Sequence, residues 1–189
     1  THRLKDLAVP ERVYELRHPD LDAGFPPLRS PDVERHNLPE LLGRFVGRDG
    51  ERRAVTKALE VEGLVTLVGT GGVGKTRLAL EVAWARVHEN ETNDGTWFVN
   101  LTAARTDDDI DAILATALGV REQPGRPLIE TITDQLGEHA ALVVFDNCEQ
   151  VVTGVRRRVQ SLLSGCPNVR VLTTSREALG LPGERRRAI

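Results

Sequence analysis

The residues whose types and spacing carry the most chemistry are Gly69-Thr70-Gly71-Gly72-Val73-Gly74-Lys75-Thr76, which fit G-x-x-x-x-G-K-[ST] at every fixed position. Each residue type has a physical task in such a loop. Glycines let the backbone curl into a nest whose N–H groups converge on phosphate oxygens. A helix that starts at the lysine adds the positive end of its dipole to the same anion. The Lys75 ammonium reaches the terminal phosphates as a point charge, and the Thr76 hydroxyl is a ligand for Mg²⁺. Lysine is scarce here: Lys5, Lys57 and Lys75 are the only lysines among 25 basic residues. The residues expected to line a bound nucleotide are therefore Gly69, Thr70, Gly71, Gly72, Val73, Gly74, Lys75, Thr76 and the adjoining Arg77.

A second element must complete the metal site. Leu142-Val143-Val144-Phe145-Asp146 is an apolar run ending in a carboxylate, which reads as a buried strand delivering an acid to the rim of a sheet. Asp146 is expected to hold Mg²⁺ together with Thr76. Many hydrolytic proteins of this kind place a water-activating carboxylate directly after that aspartate. Here the position is Asn147, which cannot accept a proton. Glu149 is the nearest acid, and it reads either as a substitute general base or as a solvated helix-start residue. The expectation is slow or regulated hydrolysis. Another apolar run closes in Thr173-Thr174-Ser175-Arg176, where Arg176 reads equally as a γ-phosphate sensor and as a surface arginine.

The elements that must position these groups follow from periodicity. Helices are expected over Arg48 to about Val61, Lys75–His88, Asp108–Leu118, about Leu128–Leu136 and Val151–Leu163. Thr106 and the acids after it suit a helix N-terminus. Strands are expected at Leu64–Val68, Thr96–Val99, Ala141–Phe145 and Val169–Thr173, with a further strand expected to form beyond Ile189. Strand and helix alternate, which specifies an α/β fold with a mostly parallel sheet between helical layers. Upstream, residues 17–44 hold Pro19, Pro26, Pro27, Pro31 and Pro39 and read as a linker, either draped over a surface or exposed, because proline blocks helix and ladder alike. Residues 1–16 read as two short extended stretches.

Composition excludes several classes. The 189 residues carry a net charge of -3 and 40% apolar content, an ordinary globular balance rather than a disordered or strongly nucleic-acid-coating one. The longest apolar run, Ala140–Phe145, falls far short of the ~20 residues of a membrane helix. Cys148 and Cys166 are too far apart in sequence for a zinc motif and form no disulfide framework, which fits a reducing cytoplasm. His2, His18, His36, His88 and His139 show no ligand spacing. Arg156-Arg157-Arg158 reads as a solvated helix face and Arg185-Arg186-Arg187 sits at an expected cut end, with neither read as a DNA-binding surface. The chain contains no methionine and opens on Thr1, so it is expected to be a piece of a longer protein.

With these motifs assembled, residues 45–189 resemble the P-loop core of STAND-class signalling NTPases, the NB-ARC-like switch proteins related to AAA ATPases. Phe45-Val46-Gly47-Arg48-Asp49-Gly50-Glu51 is similar to the family's hhGRxxE entry motif, which implies that Val46, Gly47 and Arg48 lie against adenine and ribose. The loop is similar to its Walker A motif, Leu142 to Glu149 to its Walker B, and Leu172 to Glu177 to its sensor segment. The last likeness implies that Arg176 contacts the γ-phosphate. Asn147 departs from members with a second acid. Residues 1–16, with His2-Arg3-Leu4-Lys5-Asp6-Leu7 and Pro10 to Leu16, resemble the final strands of class III adenylate/guanylate cyclase domains, without any catalytic carboxylate.

The resemblance implies an ATP/ADP-binding, Mg²⁺-dependent switch within a bacterial signal-transduction or transcriptional regulator. Its partners would be helical and winged-helix domains of the same protein, other copies of itself in a nucleotide-dependent manner, and DNA only through a further C-terminal domain; no membrane role is implied. Two other readings remain open at this level: a P-loop enzyme such as a small-molecule kinase, and a scaffold in which nucleotide is only structural.

Overall fold

In the computed structural model of the chain, residues 35–41, 43, 45, 47–88 and 94–189 are described. The expectations for the cyclase-like tail 1–16, for most of the linker and for Val46 lie outside those residues. The compact unit that carries every element below runs from His36 to Ile189.

Among the described residues the strands are β1 (Leu64–Val68), β2 (Gly95–Asn100), β3 (Ala141–Asp146), β4 (Arg170–Ser175) and β5 (Glu184–Ala188). They form one sheet in the order β2-β3-β4-β1-β5, and every pairing is parallel. A parallel sheet needs cover on both faces, so its strands must be apolar on both sides. In β3, Leu142 and Val144 face one core with Val65, Leu67 and Leu172, and that core is roofed by α1 (Asp49–Val61) and α2 (Lys75–His88). Val143 and Phe145 face the other core, roofed by α3 (Asp107–Leu118), α4 (Leu128–Leu136) and α5 (Val152–Gly165). The result is the expected three-layer α/β sandwich. No helix among the described residues is long and apolar enough to cross a membrane.

Local chemistry sets the ends of α3. The Thr106 hydroxyl accepts from the Asp109 amide at 3.2 Å, and the Asp109 carboxylate accepts from the Thr106 amide at 2.8 Å, a reciprocal capping box. Gly119 ends the helix at φ 67°, a left-handed conformation that glycine adopts without steric cost.

Two expectations need correction. The first concerns the fifth strand: Arg185-Arg186-Arg187 form the body of β5, which pairs with β1 before the chain reaches Ile189 rather than beyond it. An edge strand beside solvent needs no apolar alternation, and charge on it discourages pairing with other chains. Glu184 anchors its start by accepting from the Leu179 and Gly180 amides at 2.7 and 2.8 Å. Burial pushes the Glu184 carboxyl up, but the hydrogen bonds from Thr66, Leu179 and Gly180 outweigh it and hold the group below its ordinary range.

The second correction concerns Arg158, which does not belong to a solvated face. Its guanidinium donates to Asp111 through Nε and Nη2 and to Asp107 through Nη1, all at 2.7 Å, and 11% of the side chain is exposed. Those bonds hold Arg158 firmly charged, with Asp111 contributing most, and the Arg158 hydrogen bond holds the Asp107 carboxyl below the usual range. The pairs tie α5 to the start of α3, and Gly154 permits the close crossing: a Cβ there would sit 2.6 Å from the Asp107 carboxylate.

At the end of the proline-rich stretch, residues 36–39 lie against this unit, which agrees with a linker draped over a surface. His36 bridges Thr96, the Asn37 amide pairs with both backbone groups of Phe98 (2.6 and 2.9 Å), Leu38 is buried, and the Pro39 carbonyl accepts from the Trp84 indole at 3.0 Å. Proline cannot donate to a ladder, but a neighbouring asparagine side chain can imitate one.

Candidate functional site

Because every pairing is parallel, the carboxyl ends of the strands share one rim. Register aligns Val68 of β1 with Ser175 of β4, and Asp146 of β3 with Asn100 of β2. Loops leaving this rim converge, which is where open α/β sheets bind ligands.

The loop between β1 and α2 begins with a steric constraint. The Ile189 amide donates to the Val68 carbonyl at 2.9 Å, and a Cβ on Gly69 would lie 2.7 Å from the Ile189 oxygen. A side chain at Gly69 would therefore push the end of β5 away. The Gly69 amide in turn donates to Ser175 at 3.3 Å, so the loop is tied to both neighbours of β1. Lys75, the first residue of α2, is 8% exposed and donates to the Gly69 and Thr70 carbonyls at 2.8 and 2.9 Å. Its ammonium is thus folded back over the loop.

At the end of β3, Asp146 is 2% exposed. Its Oδ1 accepts from the Thr76 hydroxyl at 2.7 Å and from the Thr174 hydroxyl at 2.5 Å. These donors come from α2 and β4, so the two predicted metal ligands, Thr76 and Asp146, meet as expected. Thr174 is a site residue that sequence reasoning did not single out. Its signal was a polar residue at the rim end of an otherwise apolar strand. A hard oxygen cluster of one carboxylate and two hydroxyls at a helix N-terminus suits Mg²⁺ held with phosphate oxygens.

Beyond Asp146 the backbone turns sharply. Asn147 adopts φ 60°, an uncommon conformation for a residue with a Cβ, and asparagine is among the residues that tolerate it. Its side-chain amide donates to the Thr102 hydroxyl at 2.7 Å, and that hydroxyl donates to Asn100 at 2.6 Å. Cys148 is fully buried, and burial, reinforced by the Asp146 and Glu149 charges, pushes its thiol up. A protonated, enclosed thiol serves as packing. The turn leaves Glu149 facing the phosphate loop with 20% of its side chain exposed, and Oε2 is buried without a partner.

Arg176 reaches the same place from the end of β4. Its Nε lies 3.4 Å from Glu149 Oε1, and its Nη2 is 3.9 Å from where a Gly71 Cβ would stand. The two residues left open in sequence therefore meet above the loop. Arg48, at the start of α1, also approaches: its Nη1 is buried, unpartnered, and 3.5 Å from the Cβ position of Gly74. Gly47 precedes it at φ 84°. Arg77 is directed differently. Its guanidinium is engaged with the Gly43 carbonyl (2.7 Å), the Glu81 carboxylate (2.9 Å) and the face of Phe45 (6.0 Å). An open cleft of about 540 Å³ lies among these groups, lined by Gly71, Gly72, Gly74, Lys75, Thr76, Arg77, Asn147 and Glu149, with Glu40 and Leu41 at its lip. That volume is within the range of small-ligand sites.

Comparison with known proteins agrees with this geometry. An uncharacterized protein of Mycobacterium tuberculosis is 36% identical over 169 residues, covering 88% of this chain and 42% of its own length. A provisionally named HTH-type transcriptional regulator of the same organism is 42% identical over 121 residues, 64% of this chain and 13% of that protein. The chain thus spans about two-fifths of the length of the first of these relatives. Among solved structures, the Aeropyrum pernix ORC2 protein superposes with a TM-score of 0.56 at 16% identity, over 77% of this chain and 48% of that one. A STAND protein with a tetratricopeptide repeat sensor from Pyrococcus horikoshii does so with a TM-score of 0.50 at 20% identity, over 76% and 23%. These likenesses are of fold. The model of the AAA domain matches residues 58–179, which contain the phosphate loop, Asp146, Glu149 and Arg176, and the chain belongs to that family of P-loop NTPase domains.

Proposed function

We propose that this chain is the nucleotide-binding core of an ATP/ADP-dependent conformational switch, of the STAND kind, within a signalling or transcriptional regulator. The observation that carries the reading is the rim cluster in which Thr76, Thr174 and Asp146 share one carboxylate oxygen beside Lys75. The fit to nucleotide and Mg²⁺ is good on this chain's own terms: a backbone nest, a lysine above it, hard oxygen ligands and an orphaned carboxylate oxygen on Glu149. Thr76 and Asp146 would hold the ion, which supplies charge neutralisation across the terminal phosphates. Lys75 would exchange its two carbonyl acceptors for phosphate oxygens. Glu149 would orient and deprotonate the attacking water, and its place on the turn after Asn147, rather than directly after Asp146, makes turnover slow. Val46, Gly47 and Arg48 would close over the base and ribose.

The regulatory assignment draws on the relative named as a transcriptional regulator and on the fold likeness to the STAND protein. Under it, the γ-phosphate selects between two packings of this core against helical and winged-helix domains of the longer protein. Self-association would follow the nucleotide state, and DNA would be bound through another domain of a cytoplasmic regulator. Small-angle scattering of the full-length protein with Mg²⁺–ATP and with ADP tests this: two distinct shapes and slow phosphate release are expected. One shape with either nucleotide would leave a scaffold, and rapid phosphate transfer to a small acceptor would leave a kinase.

A further inference from the structure

One guanidinium, that of Arg176, stands between the Glu149 carboxylate and the phosphate loop. Arg176 leaves β4 directly after Ser175, the residue in register with the last residue of β1, so it stands at the mouth of the phosphate loop. Its side chain is 68% exposed, pairs with Glu149 at 3.4 Å and overhangs Gly71. Glu149 is the fixed member of the pair. It sits on a single 3-10 turn, Cys148–Gln150, that is closed by the Val151 amide bonding to Cys148 and pinned by the buried Cys148. Arg176 is the member free to swing. Arg176 meets Glu149 through Nε and overhangs the loop through Nη2, and that one edge of the guanidinium can be bidentate to only one anion at a time.

We propose that Glu149 and the γ-phosphate compete for Arg176. The Glu149–Arg176 ion pair is then the diphosphate state of the site, and its exchange for a third phosphate sets the discrimination between ATP and ADP. The proposal rests on the nucleotide reading above and adds a direction to it. The same exchange frees the Glu149 carboxylate only when a γ-phosphate is present, which withholds the base from an incomplete substrate.

The test is a double-mutant cycle on the full chain, reading the ratio of affinities for the β,γ-imido analogue of ATP and for ADP, both with Mg²⁺. Removing a competitor worth a partly exposed ion pair, Glu149→Gln should raise that ratio about two- to fivefold. Arg176→Gln should lower it by about tenfold. Adding Glu149→Gln to Arg176→Gln should change nothing further, because no guanidinium is left to contest. The proposal is overturned if Glu149→Gln leaves the ratio unchanged or lowers it. It is equally overturned if the rise persists without Arg176, since that result is plain repulsion between Glu149 and the longer polyphosphate. Wild-type protein that binds neither nucleotide would instead remove the nucleotide reading itself, and this inference with it.

Discussion

Two clusters of buried charge among the described residues are handled in opposite ways. On the flank, Arg158 lies between Asp107 and Asp111 with three short hydrogen bonds, and Arg157 adds a further pair to Asp107. Each charge there meets its opposite. At the rim, Asp146 is more deeply buried but accepts hydroxyls rather than a cation, Lys75 donates to neutral carbonyls, and one oxygen of Glu149 has no partner at all. A buried ionised group held only by neutral dipoles is costly unless something else supplies the counter-charge. The difference separates the two regions: the flank is complete in itself, and under the proposed function the rim is completed by an anion and a cation that arrive together.

This contrast can be broken by substitution, and the largest effect should fall on the flank. Arg158→Ala leaves Asp111 without its guanidinium and Asp107 with Arg157 alone where α3 meets α5, and should cost about 3–5 kcal/mol in urea unfolding, with nucleotide affinity little changed. Lys75→Ala should show the reverse pattern. Loss of a charged hydrogen-bond donor to phosphate corresponds to about 1.5–3 kcal/mol, or roughly 10- to 150-fold in affinity, while unfolding shifts by under about 1 kcal/mol.

A matched pair of neutralisations sharpens the point. Asp111→Asn should destabilise by about 1–2 kcal/mol, because it removes the partner of a buried guanidinium. Asp146→Asn removes a buried charge that no cation balances, so thermal stability should hold or rise slightly while the Mg²⁺ dependence of nucleotide affinity disappears. Equal loss of stability in the two variants would dissolve the distinction.

The smallest effect concerns Glu184, a buried acid satisfied by N–H donors. Its folded-state pKa is depressed, so its contribution is present above the ordinary carboxylate range and is lost as pH falls through the lower folded value. Acid titration of stability should therefore flatten in Glu184→Gln, by under about 1 kcal/mol, with the change confined to acid pH.

Much of this was legible in the sequence where burial and covalent spacing act alone. β1 and α2 match their expected limits because a fully buried apolar run, a glycine loop and a helix leave one another no latitude. Asp146 was legible for the same reason, since an apolar strand that ends in a carboxylate can deliver it only to the rim. What escaped depends on contacts between distant segments. β5 is written ERRRA, and nothing in an arginine run announces a strand until β1 offers it a ladder. Arg158 is indistinguishable from Arg156 and Arg157 until α3 supplies its aspartates. Asn37 becomes a strand mimic only beside Phe98. Arg176 and Glu149, ambiguous separately, gain meaning from being 3.4 Å apart.

Under the proposed function the rim is an incomplete charge site that nucleotide and Mg²⁺ fill together. Isothermal titration of the full-length protein with ATP, in the presence and absence of Mg²⁺, tests it most directly. The account predicts saturable binding that Mg²⁺ strengthens in the wild type, strengthening that is absent in Asp146→Asn, and binding severely weakened in Lys75→Ala. Affinity that is the same with and without Mg²⁺, or that survives Lys75→Ala intact, would contradict it.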